Sequence, residues 1–244
     1  MAAMAPEIRC AAFAAAMLAS LLGAQVPTTT PRELDLGSLL GAERAHAEWR
    51  YHDAELHTVA FRAPGADRKP SGAPNQTYDV SPHAGAADFD DTGWDVIAAD
   101  SLEQRRGSGR ICFGWYRLRF EVPEQIDGMP VAGRTLEFEV VLDDYAEVWV
   151  DGRLPRQLGQ TGGSLVAGWN APNRLLLTHR AFAGQRFTIA IFGANGPLSD
   201  PPANYLWIRS AKLLLAATAT WGEPLDLAWE RLDPRLDAVV STQR

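Results

Sequence analysis

Apolar and polar residues alternate along much of this chain in short runs. From Trp115 to Val122, Tyr116, Leu118, Phe120 and Val122 fall on one side, and Trp115, Arg117, Arg119 and Glu121 on the other. A period of two predicts a half-buried β-strand. Leu136, Phe138, Val140 and Leu142 repeat the pattern against Glu137 and Glu139. Ala146, Val148 and Val150 do so against Glu147, Trp149 and Asp151, and Asp151-Gly152 then predicts a tight turn. Arg174 to His179, Arg186 to Phe192 and Leu206 to Leu215 are further strands by the same criterion. No helical period of comparable length lies between them. Many strands at short spacing without βαβ alternation predict an all-β sandwich or barrel. The absence of a 20–50-residue repeat argues against a propeller within this chain.

The flanks read differently. Residues 1–25 predict a signal peptide: Arg9 precedes an apolar run, Cys10 to Leu22, too short to span a bilayer, and Leu22-Gly23-Ala24 offers a cleavage site. Glu7 is out of place in such a segment, and a buried N-terminal helix is the competing reading. Residues 26–46 read as a linker with one short helical turn, residues 47–216 as the sandwich, and residues 217–244 as a C-terminal linker tail broken by Pro234. Arg62 to Gly93 is rich in Pro, Gly and Asp and reads as long ordered loops. It ends in a turn, Asp88 to Gly93, anchored by Trp94.

Composition narrows the function classes. Hydrophobic residues make up 46% and charged residues 22%, enough for a sizeable core. The net charge of −7 disfavours nucleic acid as a partner. Of the two cysteines, Cys10 lies in the expected signal, so an exported chain keeps Cys112 alone and no disulfide. That predicts secretion to a bacterial periplasm, with no membrane attachment after cleavage. Eight tryptophans are a high count: some are expected in the core and others in a sugar-stacking or partner-binding surface.

Three segments carry a resemblance: Phe89-Asp90-Asp91-Thr92-Gly93-Trp94, Gly114-Trp115-Tyr116-Arg117-Leu118-Arg119-Phe120, and Asp143-Asp144-Tyr145-Ala146-Glu147-Val148-Trp149-Val150-Asp151-Gly152. In order and spacing they resemble the N-terminal sugar-binding domain of family 2 glycoside hydrolases, across roughly residues 50 to 216. Gly159 to Ser164, Gly168-Trp169-Asn170-Ala171-Pro172-Asn173-Arg174 and Ile191 to Pro197 are more similar to the sandwich fused ahead of SMP-30/gluconolactonase-type propellers. Leu232 to Val240 resembles the segment that opens such lactonases. The resemblance implies a galactose-binding-like jelly-roll β-sandwich. It does not carry lactonase activity over, because the propeller's acidic metal ligands have no counterpart in this chain.

Catalytic patterns are weak. Ser164 lacks the second glycine of a nucleophile elbow, and Cys112 precedes an apolar strand as a buried thiol would. Asp90-Asp91 and Asp143-Asp144 are chain neighbours, whose side chains point to opposite faces of an extended backbone. Neither pair can flank one glycosidic bond. They predict turn hydrogen bonds, with a structural Ca²⁺ as the lesser alternative and no other cofactor. The five histidines lack metal-site spacing. The basic run Arg105 to Arg110 reads as a solvated loop or a contact for an acidic sugar or a neighbouring domain.

Sugar sites stack ring faces on aromatics and fix hydroxyls with amides and guanidiniums. The candidate ligand contacts are therefore Trp94, Arg105, Trp115, Trp169, Asn170, Asn195, Asn204 and Tyr205, mostly in Gly/Pro-rich loops. The chain is expected to be a non-catalytic module that binds carbohydrate or an attached or partner catalytic domain. Two alternatives stay open. One is the front of a lactonase-like hydrolase, which the reading frame beyond Arg244 tests. The other is a structural clamp between domains, in which mutation of Trp169 costs assembly and leaves sugar affinity unchanged.

Overall fold

The computed structural model describes residues 30–107, 109–143, 145–154, 171–196 and 204–219. Strands dominate them. In chain order these are β1 (Arg32–Asp35), β2 (Glu48–Asp53), β3 (Glu55–Arg62), β4 (Pro74–Ser81), β5 (Asp95–Ile97), β6 (Cys112–Glu121), β7 (Gln125–Ile126), β8 (Met129–Pro130), β9 (Arg134–Leu142), β10 (Tyr145–Val150), β11 (Pro172–Thr178), β12 (Arg186–Asn195) and β13 (Ile208–Ala219). One short helix, α1 (Leu39–Arg44), and a 3₁₀ turn, Ala99–Ser101, complete the set.

Two antiparallel sheets form the expected β-sandwich. One has the order β1-β13-β9-β11 and the other β10-β12-β6-β2-β5. The strand alternation is realised as burial. Leu136, Phe138, Val140 and Leu142 of β9 face Tyr116, Leu118, Phe120, Ile189 and Ile191 of the other sheet in one core. Each of these side chains is at most 2% exposed, so each contributes about 1.5–3 kcal/mol of burial. The β10 hairpin closes at Asp151 and Gly152, whose φ values of 47° and 78° are the positive pair that a two-residue turn following the strand twist requires.

Two stretches depart from the sequence expectation. Residues 26–46 were expected to form a linker, yet the sandwich already begins at Arg32. β1 pairs with β13 from Arg32↔Leu215 to Asp35↔Lys212, and Leu34 and Leu36 are buried. Ser38 caps α1 by accepting from the Gly41 amide at 3.1 Å, and the Trp49 indole donates to the Leu36 carbonyl at 3.0 Å. A four-residue strand holding one buried leucine has too short a pattern to register as periodic.

Arg62 to Gly93 was expected to form loops throughout. Instead β3 and β4 pair over eight positions, Glu55↔Ser81 to Arg62↔Pro74, as a separate two-stranded ribbon. All eight residues of β3 are exposed, so no buried face marks it in the sequence. The expected signal (1–25), Trp169, Asn170, Ser164, Asp144 and the tail beyond 219 lie outside the described residues.

Candidate functional site

The second face of the five-stranded sheet carries the candidate site. Strand register sets out its residues in rows. Glu147 pairs with Phe192, Phe192 with Trp115, and Trp115 with His52. In the next row Trp149 pairs with Ala190, Ala190 with Arg117, and Arg117 with Arg50. Side chains two apart in a strand share a face, so both rows point away from the main core.

The segment 82–94 folds over this face and is fixed there by one buried cation. The Arg117 side chain is 0% exposed. Its guanidinium donates to the carbonyls of Ala84, Ala86 and Ala87 at 2.6, 2.9 and 3.1 Å. Its Nε donates to Asp91 Oδ2 at 2.7 Å, and Arg119 Nη2 donates to Asp91 Oδ1 at 2.8 Å. Arg50 adds a bond to the Asp91 carbonyl at 2.9 Å. Burial pushes the Asp91 carboxyl upward, but the bonds from Arg119 and Arg117 outweigh it and hold the group below its ordinary range. Burial conversely lowers the Arg117 pKa, against the pull of Asp91.

The two adjacent aspartates thus divide their work. Asp91 is neutralised by guanidiniums, while Asp90 accepts from the Thr92 amide at 3.1 Å and its hydroxyl at 2.7 Å to shape the turn. Both carboxylate oxygens of Asp91 are thus occupied by arginine donors.

Beneath the pinned segment lies a second apolar group: Ala84, Trp94, Trp115 and Ala190, with Phe89, Trp149 and Phe192 packed against it. Trp94 stacks on His52 at 5.2 Å and tilts against Phe89 at 5.4 Å. Trp115 tilts against Phe192 at 5.2 Å. Beside this group opens a cleft of about 300 Å³, lined by Val80, Pro82, His83, Gly85, Ala86, Trp115, Glu147, Trp149 and Phe192.

Three features give the cleft a chemical character. Gly85 lies against the Trp149 ring so closely that a Cβ there would sit 2.7 Å from it. Glu147 Oε1 accepts from the Tyr145 hydroxyl at 2.6 Å, which leaves its second oxygen as an acceptor beside the cleft. Burial first, and the bond to Glu147 second, push the Tyr145 pKa up and keep the phenol a donor. Finally, the indole N–H groups of Trp115 and Trp149 are buried and have no acceptor among the described residues, although both tryptophans line the cleft. An unmet buried donor costs about 1–3 kcal/mol.

The sequence candidates sort into two groups. Trp94 and Trp115 belong to the aromatic group just described, Trp115 lining the cleft and Trp94 buried behind it. Arg105, Asn195, Asn204 and Tyr205 gather where β12 ends and β13 begins. There the amides are spent on structure. Asn195 Nδ2 donates to Asp143 Oδ2 at 3.0 Å and to the Tyr205 carbonyl at 2.7 Å. Asn204 Nδ2 donates to the carbonyls of Arg110 (2.6 Å) and Gly196. Arg105 lies over the rings of Tyr205 and Trp207 at 5.7 and 5.1 Å. The basic loop is tied down as well, since Arg106 forms a bridge to Leu206 and lies over the Tyr51 and Tyr116 rings. Burial pushes the Tyr116 hydroxyl up to about 12.

Sequence reasoning did not single out Trp149, Glu147, Phe192, His83 or Arg117 as site residues. A signal existed for Trp149 and Glu147, which alternate with the buried Val148 and so had to lie on the other face.

No family model and no curated protein matches the chain. Among solved structures, the chain is similar to a glycosyl hydrolase family 2 member from Bacteroides cellulosilyticus, with 16% identity, a TM-score of 0.42, and coverage of 76% of this chain and 20% of that one. It is also similar to a β-glucosidase from Kluyveromyces marxianus, with 11% identity, a TM-score of 0.35, and coverage of 79% and 20%. A third is a GH31 α-xylosidase from Xanthomonas citri, with 15% identity, a TM-score of 0.24, and coverage of 70% and 15%. The chain thus spans a fifth or less of the length of these proteins.

Proposed function

We propose that this chain is a non-catalytic carbohydrate-binding module of a secreted sugar-processing protein, and that it takes its ligand in the cleft between segment 82–86 and β10. One observation carries the proposal: two tryptophans and a phenylalanine line the same cleft as one carboxylate. A sugar offers the complement. Its C–H face packs on indole and phenyl surfaces, and a hydroxyl donates to Glu147.

Binding fits the lining better than hydrolysis does. Among the described residues, Glu147 is the one carboxylate lining the cleft, whereas glycoside hydrolysis by the usual route uses two. A catalytic domain, attached or partner, supplies the chemistry in this proposal, and export to a periplasm rests on the apolar run Cys10 to Leu22.

A glycan panel on the purified chain tests the proposal. Binding to at least one sugar class is expected, with affinity reduced at least tenfold, about 1.4 kcal/mol, by Trp149→Ala. Absence of binding across the panel contradicts it.

A further inference from the structure

We infer that the β3–β4 ribbon is a dimerisation element: β3 of one copy pairs antiparallel with β3 of a second copy across a two-fold axis, making a four-stranded sheet of two ribbons. Each strand of the ribbon is eight residues long, about 27 Å at the antiparallel rise. Among the described residues β3 and β4 pair only with each other. A lone two-stranded ribbon is marginal in water, and this one also exposes Leu56 at 44%, Phe61 at 49% and Tyr78 at 55%. Those residues are split between its two faces. Leu56 and Tyr78 lie on one and Phe61 on the other, so stacking on a single face would leave part of the apolar surface wet. Edge pairing extends both faces at once.

Two features select β3 and a second copy of this chain as the occupant. β4 begins at Pro74, which offers no amide donor at that end of its edge, whereas Glu55–Arg62 contains no proline. The ribbon is also electrically polar along its length. Arg62, Arg68 and Lys69 crowd the tip around a single Asp67, while Glu55 and Asp79 stand at the base. An antiparallel partner lays its basic tip against the acidic base, and the two-fold axis repeats the match at the other end. The pairing does not depend on the cleft's ligand.

Sedimentation velocity on the purified chain, from low to several hundred micromolar, tests the inference. A reversible dimer is expected. Val59→Lys, within β3, is expected to weaken it at least tenfold while leaving the thermal melt of the sandwich in place. Glu55→Arg and Arg62→Glu are each expected to weaken it, and the double variant to regain most of the loss. A chain that stays monomeric throughout overturns the inference. So does a dimer that Val59→Lys leaves unchanged, or charge reversals that fail to rescue each other.

Discussion

Arg117 is the residue on which the candidate site turns. A guanidinium with no exposure is costly to desolvate, and the cost is offset because nearly every donor finds an acceptor: three backbone carbonyls and Asp91. Removing the counterion leaves a buried charge. Asp91→Asn is therefore expected to destabilise the fold by about 3–5 kcal/mol near neutral pH, measured by urea unfolding. The pH dependence has a definite sign. The folded Asp91 pKa lies below its unfolded value of about 4, so its contribution is present above that value and is lost as pH falls through the folded pKa. The stability gap between the parent chain and Asp91→Asn is expected to be full at pH 6 and to narrow progressively below about pH 4. A gap that stays constant down the acid limb contradicts the assignment.

At the scale of elements, the cleft exists because a loop is held against a strand. Segment 82–86 contributes one wall and β10 the other, with Gly85 against the Trp149 ring. Gly85→Ala is expected to displace the indole, since the added Cβ would lie 2.7 Å from it, and to lower glycan affinity while the melting temperature stays within a few degrees of the parent. Arg117→Met is expected to lower affinity too, through release of the loop, and to do so without touching the ligand. Equilibrium titration of both variants against the parent checks these outcomes. Alternation made β6, β9 and β10 legible in the sequence, because each buries one face. β1 and β3 escaped for opposite reasons. β1 is too short to show a period, and β3 buries nothing.

At the scale of the whole molecule, the two sheets formed by the described residues leave the outer face of the five-stranded sheet free of the main core, and the second aromatic group sits there. The sequence showed that a Trp-bearing face existed. It did not show which strands lie side by side, and that register is what brings Glu147, Phe192, Trp115 and His52 into one row. Local chain chemistry likewise made Asn195 and Asn204 look like ligand contacts, because loop asparagines are equally suited to hydroxyls and to backbone carbonyls. Tertiary closure around β13 decided in favour of the carbonyls. The central claim is that the cleft lined by Trp115 and Trp149 binds carbohydrate. Its most direct test is titration of the bound sugar class into the parent chain and into Trp149→Ala, followed by calorimetry. Saturable binding that the substitution weakens at least tenfold, with the melt retained, is the predicted result. Binding of undiminished affinity in Trp149→Ala would place the sugar elsewhere and contradict the claim.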